Sequence, residues 1–99
     1  MNSQADSYTL VIGDAGKMII CTKATANNLT VPLNSSVAFP IGTQVIIMQQ
    51  GAGAVTIVAT SGVTLQSEEG LILNNQYSTA LLIKTATDTW TVAGSLRYS

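Results

Sequence analysis

From Tyr8 onward, apolar and polar residues alternate in short runs separated by Gly, Asn and Asp, a period of two that predicts strands and turns. "YTLVI" and "KMIICT" flank "GDAG" and predict a hairpin whose turn holds Gly13 and Asp14, with Asp14 accepting turn N–H groups. In "NLTVPL", Leu29, Val31 and Leu33 share one face and Thr30 takes the other, while Pro32 confines the strand to an edge or ends it. "TQVIIMQQ" is too densely apolar for a half-exposed sheet and predicts a central strand, with Ile46 assigned to the core. "AVTIVAT" sets Val55, Ile57 and Ala59 on one face and Thr56 and Val58 on the other. The intervening Gly51-Ala52-Gly53 predicts a tight hairpin loop in which glycine supplies positive φ. "GVTLQS" and "LIL" predict two short strands, and "YSTALLIKT" with "TWTVAG" a closing hairpin that buries Leu82 and Trp90.

No segment repeats apolar residues at helical spacing over three turns, and the abundant Thr and Val fit a pleated surface better than a helix. The expected fold is therefore all-β, a small antiparallel β-sandwich or barrel of about seven to nine short strands. Residues 1–7 are polar and patternless and predict a flexible arm, residues 8–95 a single β domain, and residues 96–99 a C-terminal tail.

Composition narrows the function classes. A chain of 99 residues supports one modest core. Only 9% of its residues are charged and the net charge is −1, with Thr, Ser, Asn and Gln making up the polar surface. Lys and Glu are depleted at protein interfaces, so such a surface suits a protein packed against others. Lys17, Lys23, Lys84 and Arg97 form no run and few aromatics interleave with them, which argues against nucleic acid as a partner. No apolar run approaches the about 18 to 20 residues of a membrane-spanning helix, and the N-terminus lacks the basic start and apolar stretch of a secretory signal.

Candidate chemistry is sparse. The chain has no histidine, which removes Ser-His and Cys-His arrangements, and with one cysteine it builds neither an intrachain disulfide nor a zinc site. Cys21 lies in "MIICT" and reads as a small buried hydrophobe. Glu68 and Glu69 read as solvated carboxylates, and Asp6, Asp14 and Asp88 have no cleft to face across. Gly51 and Gly53 open a Gly-x-Gly, but Thr56 stands where a dinucleotide loop needs its third glycine, and strand-like residues replace the helix that would meet the phosphates. The reading is a protein without catalytic residues, cofactor or metal. Tyr8 and Tyr77 are expected half-buried at strand starts, and Tyr98 is free in the tail.

The run "DAGKMIICTKATANNLTVPLNSSVAFPIGTQVIIMQQGAGAVTIVATSGVTLQS", followed by "QYSTALLIKTATDTWTVAGSL", resembles a small β-rich module of tailed-bacteriophage virion proteins, including tail fibres, head fibres and capsid decoration proteins. The resemblance covers nearly all of the chain after the arm. It rests on the order of D-x-G-K, an L-T-V-P strand, F-P-x-G-T, the Gly-Ala-Gly loop, G-V-T-L and a final W-x-x-x-G. It implies a non-enzymatic structural role, commonly as a homotrimer, in a virion assembled in the host cytoplasm. A chain holding only the module and a short arm points to a capsid decoration, cement or head-fibre protein, with the major capsid protein or another virion protein as partner. Met1, Asn2, Ser3 and Gln4 of the arm, or Arg97 and Tyr98 of the tail, would then dock on the capsid. The alternative is a tail-fibre or adhesin module that meets host glycan or protein through "NNQY", Asn74 to Tyr77.

Overall fold

Successive strands of the first half alternate between two sheets, so the chain winds instead of folding back on itself. The computed structural model describes residues 2–67 and 70–97. Among them lie β1 (Asn2–Gln4), β2 (Tyr8–Thr9), β3 (Met18–Cys21), β4 (Asn27–Val31), β5 (Gln44–Gln49) and β6 (Val55–Ala59). They are followed by β7 (Thr64–Ser67), β8 (Ile72–Leu73), β9 (Thr79–Ala86), β10 (Thr89–Gly94) and β11 (Leu96–Arg97). One sheet has the order β1-β3-β5-β9-β10-β7 and the other β11-β8-β6-β4-β2.

The fold is nearly all β, but the antiparallel expectation is corrected, because both sheets are mixed. β1, β3 and β5 run parallel in the six-stranded sheet, and β2, β4 and β6 run parallel in the five-stranded one. Parallel neighbours need a long crossover, and here the strand of the opposite sheet supplies it. The hairpins expected around "GDAG" and "GAG" therefore do not form: β2 and β3 lie in different sheets, as do β5 and β6. The closing hairpin does form, β9 against β10, with Leu82 opposite Val92 and Ala80 opposite Gly94.

The segment expected as a flexible arm is also corrected. Asn2, Ser3 and Gln4 pair with Ile19, Ile20 and Cys21, and the Thr22 N–H donates to the Gln4 carbonyl at 2.9 Å. Backbone pairing needs no side-chain pattern, so a three-residue strand leaves no trace in hydropathy. In the tail, Leu96 and Arg97 pair with Leu73 and Ile72.

The inward rows of both sheets build one core that includes Leu10, Ile19, Leu29, Val31, Val45, Ile47, Ile57, Leu82 and Trp90. Phe39 meets Trp90 edge-to-face at 5.5 Å between ring centres. Ile46 does not belong to this core. It lies between Val45 and Ile47, period two turns it outward, and it is 42% exposed.

On one flank the turns of the coil stack. The Gly51 N–H donates to the Cys21 carbonyl at 3.0 Å, Gly53 N–H to the Lys23 carbonyl at 3.1 Å, and Asn27 N–H to the Ala54 carbonyl at 3.0 Å. The Lys23 ammonium meets the Asp6 carboxylate at 2.6 Å, and this hydrogen bond, with the Ser7 N–H, holds the Asp6 pKa below its ordinary value. Neither Gly51 nor Gly53 has positive φ. Both are needed for close approach: a Cβ on Gly51 would strike the Thr22 and Lys23 carbonyls, and one on Gly53 the backbone of Thr25. On the "GDAG" turn the left-handed residue is Gly16, with φ 73°, not Gly13.

Cys21 is buried, and burial pushes its thiol up from 9.0 to about 11. A maleimide at pH 8 should leave the native thiol unmodified and label it on unfolding, whereas equal rates would place Cys21 at the surface. The unfolded chain releases this proton first, so the thiol makes stability fall as pH rises from 9.0 toward about 11.

Candidate functional site

The alternation that buries Ile19, Val45, Ile47, Ala80, Leu82, Trp90 and Val92 forces their neighbours onto the outer face of the six-stranded sheet. There the register aligns Met18, Ile46, Leu81 and Ala93 in one row across four strands. Ile20, Met48 and Thr79 form the row on one side, and Gln44, Ile83 and Thr91 the row on the other. Among the described residues these rows hold no charged side chain. Four strands about 4.8 Å apart and five residues long span about 300 Å² in projection, the size of the largest apolar patch on an ordinary single chain, which is often functional.

The outer face of the five-stranded sheet differs. Its rows run Thr9, Thr30, Val58 and Asn28, Thr56, Ile72. Hydroxyls and amides keep that face hydrated, as expected for a sheet with one face in water.

No family model matches the chain, nor does any curated protein or solved structure.

Most residues singled out in the sequence are not brought together. Ser3 and Gln4 lie on β1 at one end of the six-stranded sheet, and Arg97 lies on β11 at the far end of the other sheet, where its Nε donates to the Asn74 carbonyl at 3.3 Å. Met1, Glu68, Glu69 and Tyr98 lie outside the described residues. Asp14 is buried, and its carboxylate accepts the Tyr8 hydroxyl at 2.7 Å and the Val11 N–H at 3.0 Å. Tyr8 is half-buried, but Tyr77 is 64% exposed with φ 71°, because it stands in the turn before β9 instead of opening the strand. Among the described residues no three acidic or cysteine side chains gather to hold a metal. A cavity of about 340 Å³ between β7 and β8, lined by Ile57, Leu65, Leu71 and Ser67 among others, presents no titratable group among the described residues.

Sequence reasoning missed Lys84. It shares the parity of Ala80 and Leu82 on β9, which is the signal that places it inward, and it is only 2% exposed. Its ammonium donates to the Asn34 side-chain oxygen at 2.5 Å and to the Phe39 carbonyl at 2.7 Å. The Asn34 N–H in turn donates to the Asp88 carboxylate at 2.6 Å.

Proposed function

We propose that this protein is a non-enzymatic structural component of a tailed-bacteriophage virion, a capsid decoration, cement or head-fibre protein that binds the capsid surface as an oligomer. The observation that carries the assembly is the uncharged outer face of β3, β5, β9 and β10, aliphatic along its central row of Met18, Ile46, Leu81 and Ala93. A patch without charge meets no repulsion from a copy of itself, and removing Ile46, Leu81, Ile83 and Met48 from water supplies the driving force. Three copies turning this face to a common axis would give the homotrimer that the resemblance implies, and the virion assignment rests on that resemblance. Linked copies convert weak contacts per chain into tight binding through effective concentration.

Sedimentation with phage heads from the genome that encodes the chain tests the reading. The unmodified protein should pellet with heads. Ile46→Glu should keep its strand circular dichroism, run as a single chain and lose about 100-fold or more in apparent affinity. Unmodified protein that stays in solution would contradict the capsid reading, and an intact oligomer of Ile46→Glu would remove this face from assembly. The exposed Tyr77 beside Asn74 and Asn75 favours a second reading, a tail-fibre or adhesin module with an aromatic platform for glycan. That reading is distinguished in the same assay by replacing heads with host cells.

A further inference from the structure

Lys84 is a cation held inside an all-β core by two neutral acceptors, the Asn34 side chain and the Phe39 carbonyl. Among the described residues the ion pair found is Lys23 with Asp6, so no carboxylate lies within 4.0 Å of the Lys84 ammonium. A buried charge without a counter-charge is expensive, and converting it to a neutral group relieves that cost.

We propose that Lys84 and Asn34 join in an intramolecular isopeptide bond. The Lys84 Nζ lies 2.5 Å from Asn34 Oδ1. A carbonyl bond of about 1.23 Å then keeps Asn34 Cγ within about 3.7 Å of the amine, near the distance of a reacting pair. Lys84 first gives its ammonium proton to solvent. The neutral amine attacks Asn34 Cγ, forming the Nζ–Cγ bond and a tetrahedral centre. A proton then passes from Nζ to Nδ2, the Cγ–Nδ2 bond breaks, and ammonia leaves. Amine and carboxamide become a secondary amide and ammonia, with no oxidant or cofactor consumed.

The surroundings suit the product. A secondary amide has one N–H, and the Phe39 carbonyl at 2.7 Å is placed to accept it. The charge is gone from the core. Phe39 and Trp90 are both buried beside this pair, with Trp90 opposite Lys84 in the β9–β10 ladder, so the neutral amide lies among apolar rings. The reaction occurs once per chain, and holding amine and carboxamide in contact supplies the rate gain of an intramolecular pair over separate reactants. Asp88 acts as a positioning residue: its carboxylate holds the Asn34 N–H and so aims the carboxamide at Lys84. The bond ties β9 to the connection between β4 and β5, fifty positions apart in the chain.

Intact-mass spectrometry of the full chain, purified folded and kept at neutral pH for several days, tests the proposal. The expected mass is lower than that of the sequence by one ammonia, about 17 Da. Digestion with trypsin under denaturing conditions should leave the chain uncut after Lys84, so that residues 24–97 remain one fragment between the cleavage sites at Lys23 and Arg97. Asn34→Ala should retain its full sequence mass and be cut after Lys84. Asp88→Ala should form the bond at least about tenfold more slowly, with the folded circular dichroism spectrum retained. An unmodified chain that keeps its full mass overturns the proposal. So does a loss of ammonia with normal cleavage after Lys84, which would mark a succinimide on an asparagine instead. Equal rates for Asp88→Ala and the unmodified chain would overturn the role of Asp88.

Discussion

Trp90→Ala lowers the free energy of unfolding by about 3–5 kcal/mol. The indole is the largest of the fully buried side chains, at 1% exposure, and it sits on β10 between the two sheets. Truncation removes the transfer energy of the ring, leaves a cavity that short, hydrogen-bonded strands do not collapse into, and deletes the edge-to-face contact with Phe39. A domain of this size is stable by about 5–15 kcal/mol, so the variant is left near the limit of folding at room temperature. Urea unfolding followed by far-ultraviolet circular dichroism reads the effect, as a midpoint lower by at least about 1 M. A loss under about 1 kcal/mol would mean that the indole is not the filler of this core.

Gly53→Ala costs about 3 kcal/mol or more, while Gly13→Ala stays within about 0.5 kcal/mol. The two glycines come from similar-looking turns, and the coil separates them. A methyl group on Gly53 points into the backbone of Thr25 in the neighbouring turn, and backbone cannot rotate aside as a side chain does. The Gly53–Lys23 and Asn27–Ala54 hydrogen bonds hold those turns together, so relief of the clash breaks ladder contacts on either side. Around Gly13 an added Cβ meets nothing within 4 Å, and its φ is not left-handed. Thermal unfolding of the two variants side by side checks this. Equal melting temperatures would show that the stacked turns are loosely packed.

Much of this fold was legible in the alternation of the chain, and the illegible part has a common cause. Period two reports which side of a strand is buried, and Leu82 and Trp90 lie where that rule puts them. It does not report which sheet comes next. A strand that returns beside its predecessor and one that crosses to the opposite sheet bury the same parity, so "VIIMQQ" and "VTIVAT" looked like a hairpin although β5 and β6 never pair. Ile46 was misassigned because a run of three aliphatic residues hides its own alternation, and its outward position is what makes the candidate face apolar. Lys84 is hidden by its charge: its parity on β9 places it inside, where a lysine is rarely found. The edge strand β1 left no trace because backbone pairing, which needs no hydropathy pattern, joins it to β3.

The most direct test of the assembly proposal is the molar mass of the protein in solution, read by light scattering across the micromolar range. An oligomer built through the outer face of the six-stranded sheet gives a whole-number multiple of the 10.3 kDa chain mass, three for a homotrimer, and Ile46→Glu returns it to 10.3 kDa. A mass of 10.3 kDa for the unmodified protein at every concentration would contradict it.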